Sequence, residues 1–107
     1  MVFRARSDMV LCGAEEALRL GQLRGLLAFG TIRSSGERLR AGDDILTLDG
    51  EAAALHQVWK TAQTLMEYLS GIASATADIV AAARCANPDI GIACTRKNFP
   101  GTKAAAI

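Results

Sequence analysis

The spacing of apolar and polar residues changes character twice along the chain. Residues 1–50 form short alternating runs cut by glycine. The stretch "MVFRARSDMVLCG" fits one or two strands. "AEEALRLG" reads as a short helix, with acids at its start and Gly21 as its stop. "RGLLAFGTIR" is a further strand candidate whose glycine marks a bulge. "SSGE" is a turn, and "AGDDILTLDG" is a turn, a strand and another turn. Strands and a helix in this irregular order predict an α+β fold.

Residues 51–87 are different. Leu55, Trp59, Ala62, Met66, Leu69, Ala73, Thr76, Val80 and Ala83 recur at steps of four and three. That is one apolar face of a long helical segment, started by Asp49 or Glu51 and ended by Asn87–Pro88. Ser70 and Gly71 in its middle predict a kink or break, and also a place where another backbone comes close. In residues 89–95, "DIGIACT", Ile90, Ile92 and Cys94 share one face, and Gly91, Ala93 and Thr95 the other. Small residues on the second face predict a parallel strand packed on both sides. A turn at Pro100–Gly101 and a helix start in "TKAAAI" follow. These patterns set residues 1–87, which contain the helical segment 51–87, apart from a strand-and-turn piece at 88–107.

Composition narrows the function classes. The chain has 107 residues, a net charge of +1 and 50% apolar residues, so the core is expected to be mostly Leu, Ile, Val and Ala. No basic stripe interleaved with aromatics is present, so no nucleic-acid partner is implied. No apolar run approaches the ~18 residues of a membrane span. Cys12, Cys85 and Cys94 form neither a disulfide framework nor a zinc spacing. Reduced, mostly buried thiols are expected, in a soluble cytoplasmic protein. His56 is the single histidine and is not assigned as a base. Glu15–Glu16 and Asp43–Asp44 read as helix-start and turn acids rather than a metal pair. There is no phosphate-binding glycine loop of either common type.

Two cations stand out at the end of the last strand candidate. Arg96 and Lys97 lie where the strand end of an α/β fold presents its ligand crevice. A guanidinium fork and an ammonium point charge side by side suit carboxylates or phosphates. A solvated strand end is the plain alternative. Lys60, between Trp59 and Thr61, reads from spacing alone as a snorkelling lysine.

Three blocks carry a resemblance. "AGDDILTLDGEAAAL" matches the strand and turn that precede the helix in quinolinate phosphoribosyltransferases. "KTAQTLMEYLSGIASAT", residues 60–76, resembles that family's "RTALNFLQRLSGIAT" helix. "CTRKNFPGTK", residues 94–103, resembles its "DTRKTTPGLR" strand end. The blocks occur in the family's order. Trp59–Lys60 stands where the family has Glu-Arg, and Cys94 where it has aspartate. Both departures are similar to the ModD-type pyrophosphorylase branch associated with molybdate transport.

The resemblance implies an α/β sandwich-type domain at 1–87 followed by the start of an incomplete α/β barrel at 88–107. It implies phosphoribosyl transfer from phosphoribosyl pyrophosphate to a small anionic acceptor, with Mg²⁺ as cofactor and pyrophosphate released. Arg96 and Lys97 match family residues that bind the acid substrate. Lys60 matches an arginine that reaches that pocket from the partner in a homodimer. An ammonium in place of the arginine fork, beside a bulky Trp59, leads us to expect an acceptor other than quinolinate, or a weaker one. A whole barrel takes about 250 residues, so the chain is expected to be an N-terminal piece. The Mg²⁺ ligands are then expected outside it, and no turnover from it alone. Exposed apolar surface is expected to drive formation of a dimer or larger homo-oligomer. The alternative is a non-catalytic binding or oligomerisation module.

Overall fold

The structure is a computed structural model and describes residues 1–106. Its elements are β1 (Val2–Arg4), β2 (Met9–Val10), α1 (Ala14–Leu23), β3 (Leu27–Phe29), β4 (Arg38–Leu39), β5 (Asp44–Asp49), α2 (Ala52–Ala86) and α3 (Lys103–Ala106). β1, β5 and β3 form an antiparallel sheet with β5 in the middle, and β2 pairs antiparallel with β4. The α+β expectation holds, and the aliphatic core with it. Leu11, Leu26, Leu46 and Leu48 are fully buried, each contributing about 1.5–3 kcal/mol of apolar burial. Leu46 sits opposite Phe3 and Leu48 opposite Ala28. Alternation in β5 thus turns Leu46 and Leu48 to the helices and leaves Thr47 half-buried on the other face.

Helix α1 does not stop at Gly21. It runs two residues further, to Leu23. Its end is a Schellman cap: Leu26 N–H donates to the Gly21 carbonyl and Gly25 N–H to the Gln22 carbonyl, both at 3.0 Å. Gly25 supplies the left-handed residue, with φ of 75°. Gly21 serves packing instead, because a Cβ there would stand 2.8 Å from Leu48 Cδ1. The glycine after β3, Gly30, ends that strand rather than bulging it. The irregularity in the sheet lies in the β1–β5 register, between Phe3 and Arg4. The pairing of β2 with the two-residue β4 is not evident in the sequence pattern.

Helix α2 is continuous over 35 residues, about 52 Å at 1.5 Å per residue. The break expected at Ser70–Gly71 is absent. Ser70 is only 3% exposed, and its Oγ accepts from Cys12 N–H at 2.9 Å and donates to the Cys12 carbonyl at 3.2 Å. One turn on, Ser74 Oγ accepts from Val10 N–H at 2.9 Å and donates to the Val10 carbonyl at 3.5 Å. The close backbone approach expected here is therefore real, and it is what keeps Ser70 in the helix. Gly13, φ 91°, lies against the same turn, where a Cβ would meet Leu69 Cδ1 at 2.9 Å. The buried face of α2 is Val58, Ala62, Met66, Leu69 and Ser70. Trp59, placed on the apolar stripe by its spacing, is 37% exposed, because Val58 takes the inward position. Beyond Ser70 no residue of α2 is buried, and Ile79 is 66% exposed.

Residues 89–95 form no strand, and Ile90 and Ile92 are 41% and 42% exposed. A parallel strand exists only as part of a ladder, and no described strand lies beside this segment to receive its N–H and C=O groups. The cysteines also differ from expectation. All three are free, but Cys12 is half-buried and Cys85 and Cys94 are exposed.

Glu15 ties α1 to the 34–37 turn. Its carboxylate accepts from the Ser35 N–H at 2.9 Å and from the Ser35 hydroxyl, whose Oγ in turn accepts from Gly13 N–H at 3.0 Å. Burial pushes the Glu15 carboxyl up, but the Ser35 hydroxyl and the Ser35 and Glu15 amides together outweigh it and hold its pKa below 4.5.

Two outcomes follow from these contacts. Ser70→Ala leaves the Cys12 N–H and C=O without their partner, and is expected to cost about 1–3 kcal/mol in urea unfolding. Because the folded Glu15 pKa is depressed, its contribution is full above the unfolded value of about 4.5 and disappears as pH falls through the folded one. Glu15→Gln is therefore expected to flatten the fall of the urea midpoint on the acid side of pH 4.5; an unchanged acid slope would refute the Glu15 contribution.

Candidate functional site

The cations singled out in the sequence sit on two different parts of the fold. Lys60 is exposed in the third turn of α2. Its ammonium lies over the Trp59 ring, 4.5 Å from the centroid. At that distance the ring's negative face attracts the charge. Arg96 and Lys97 lie in the irregular segment after α2, both exposed. Their local backbone is shaped by short polar contacts: Lys97 N–H donates to Thr95 Oγ1 at 3.4 Å, and Asn98 Nδ2 to the Arg96 carbonyl at 3.1 Å. The expected turn at Pro100–Gly101 is present. Thr102 N–H and Thr102 Oγ1 both donate to the Phe99 carbonyl, at 3.0 and 2.7 Å.

Among the described residues neither Arg96, Lys97 nor Lys60 pairs with a carboxylate. A cation without an internal counter-charge remains open to an external anion. Neither groove described for this fold is lined by any of the three. From Lys60 to the end of α2 at Ala86 the helix rises about 39 Å, and Arg96 and Lys97 come after that end.

A groove of about 770 Å³ lies between residues 1–9 and the first half of α2, where Trp59, Gln63, Met66 and Glu67 line it. Phe3, Ile45 and Met66 give it an apolar floor. Most charges at its wall are already engaged. Arg4 Nε donates to Asp44 Oδ1 at 2.6 Å, and this bond from Arg4 holds the Asp44 carboxyl below its ordinary range. Asp8 Oδ1 accepts from Ala41 N–H at 3.0 Å, and Glu67 Oε1 from Gln63 Nε2 at 2.9 Å. Arg6 has no such partner among the described residues. Nothing in its sequence setting marked it, since it occupies an ordinary position in an alternating run. Among the described residues no group of three His, Cys, Asp or Glu is arranged to hold a metal.

Comparison with known proteins gives this geometry a context. Residues 1–70 match the family described as "Quinolinate phosphoribosyl transferase, N-terminal domain". A protein of Rhodobacter capsulatus that carries the name pyrophosphorylase ModD is 43% identical over 107 residues, covering 100% of this chain and 41% of that protein. A Methanothermobacter thermautotrophicus protein named for nicotinate-nucleotide pyrophosphorylase (carboxylating) activity is 41% identical over 97 residues, 91% of this chain and 34% of its own length. The crystal structure of NadC from Streptococcus pyogenes superposes with a TM-score of 0.88 at 28% identity, covering 97% of this chain and 38% of that one. The chain thus spans well under half the length of these relatives.

Lys60→Met removes a single exposed cation–π contact, and is expected to lower folding stability by no more than about 1 kcal/mol in urea unfolding. A larger loss would make Lys60 a structural residue rather than a free cation.

Proposed function

Because this chain belongs to the quinolinate phosphoribosyltransferase family, we propose that it forms part of an enzyme of the ModD-type branch. That enzyme transfers phosphoribosyl from phosphoribosyl pyrophosphate to a small, aromatic acid-like acceptor and releases pyrophosphate. The observation that carries this reading is the pair Arg96 and Lys97. They are adjacent, exposed and without a carboxylate partner, on a segment held by the 99–102 turn. The Rhodobacter capsulatus relative aligns across that segment as well as the N-terminal part.

The residues of this chain would act by binding. Phosphoribosyl transfer passes through a separated-charge centre, with positive character on the ribosyl carbon and negative charge on the departing pyrophosphate. Positioning of the anionic ends does much of the work. Arg96 supplies a planar fork to a carboxylate or phosphate, and Lys97 a point charge beside it. Lys60 supplies a third cation to the acceptor pocket of a partner in a homodimer. Mg²⁺ belongs to residues beyond those present here, and no step is assigned to it. An acceptor other than quinolinate suits the Lys60 ammonium and the neighbouring Trp59, which together lack a second guanidinium fork. A role beside molybdate uptake, in the cytoplasm, follows the ModD likeness. The exposed Ile72 and Ile79 on α2 favour the second reading only if the protein binds no phosphoribosyl pyrophosphate: a non-catalytic oligomerisation module.

The test is a calorimetric titration of the full-length protein with phosphoribosyl pyrophosphate and Mg²⁺. Arg96→Ala and Lys97→Ala are each expected to raise Kd at least about tenfold, the loss typical of a charge-assisted hydrogen bond. Full-length protein that takes up the ligand equally well in both variants would remove these two cations from the site. Absence of heat in the unmodified protein would instead favour the oligomerisation module.

A further inference from the structure

Trp59 and Lys60 are consecutive residues of α2. Neighbours on a helix point about 100° apart and do not face each other. The Lys60 ammonium nevertheless stands 4.5 Å from the centroid of the Trp59 ring, so the lysine stem bends round the helix to reach it. The positions one turn away offer no carboxylate. Three and four residues before Lys60 are Gln57 and His56, and three and four after it are Gln63 and Thr64. The indole itself lines the groove between residues 1–9 and α2 and is 37% exposed, so the fold holds the platform on which the ammonium rests.

A carboxylate beside a lysine fixes its ammonium but also offsets its charge. An aromatic face attracts the ammonium and leaves the charge whole. We propose that Trp59 is a positioning residue for the anion site: its ring holds the Lys60 ammonium as a fixed point charge for a carboxylate of the acceptor. This rests on the reading above, in which Lys60 serves the acceptor pocket. Trp59 acts through Lys60 and need not touch the acceptor. Lysine's four-carbon stem is flexible and loses rotamer freedom when its ammonium pairs with an anion. The ring takes up part of that loss in the free protein, so less remains to be lost on binding. At an exposed site a contact of this kind favours the held rotamer about two- to fivefold.

The test uses the full-length protein carrying isotope-labelled lysine. Protons over an indole face are shifted upfield by its ring current. The Lys60 ε-methylene signal, identified by its loss in Lys60→Met, is expected upfield of the other lysines. Trp59→Leu is expected to return it to the ordinary position. The same variant is expected to raise the calorimetric Kd for phthalate, an aromatic dicarboxylate with no ring nitrogen to ribosylate, about two- to fivefold. Trp59→Phe keeps an aromatic face, and is expected to keep the upfield signal and a Kd within about twofold of the unmodified protein. An ordinary Lys60 signal in the unmodified protein would overturn the positioning role. So would equal losses in Trp59→Phe and Trp59→Leu, which would assign the effect to packing. Phthalate affinity that falls in Lys60→Met but not in Trp59→Leu would remove Trp59 alone and leave Lys60 in the site. Phthalate binding indifferent to Lys60→Met, or no heat in the unmodified protein, would overturn the reading of Lys60 and the proposal with it.

Discussion

Two serine hydroxyls hold this fold to its long helix. Ser70 and Ser74 stand one turn apart on α2, about 6 Å along the axis. Cys12 and Val10 stand two residues apart on extended chain, about 6.6–6.8 Å. The spacings nearly coincide, so each hydroxyl meets one backbone residue and serves both its N–H and its C=O. A helix has no free backbone groups on its flank and cannot continue a sheet. Here side-chain oxygens do what a neighbouring strand would do. An edge that would otherwise be buried and unsatisfied is closed without a further strand.

The packing follows from that seam. Once residues 10–12 lie against the 70–74 turn, Gly13 must pass the Leu69 side chain with no room for a Cβ. Helix α1 then begins directly under α2. Its first turn is fastened to the 34–37 turn through Ser35 and Glu15. Val58, Ala62 and Met66 join the core cluster that holds the leucines of β5. The held half of α2 is therefore the half that precedes the seam. After it, the helix continues with no fully buried residue, and the molecule's long axis is 51 Å.

This asymmetry governs where the cations stand. Lys60 is in the anchored half, within the folded body. Arg96 and Lys97 follow the unanchored half. A continuous helix lies between the two groups along the chain.

The sequence alone determined much of this protein: the α+β class, the helical span from 51 to 87, the turns at 34–37 and 41–42, and the aliphatic core. Period and turn chemistry are local properties, and these elements are dictated locally. The family could be read too, because its sequence blocks stand in the family's order. Other features were decided only by the tertiary structure. Ser70 and Gly71 look like helix breakers until Cys12 arrives to occupy the Ser70 hydroxyl. Gly21 looks like a helix stop until Leu48 packs against it and Gly25 takes the left-handed position. Trp59 and Val58 compete for one inward direction, and the sheet chooses the smaller. Residues 89–95 carry a strand's pattern and form none, because a strand's hydrogen bonds are made by its neighbours and not by its own residues.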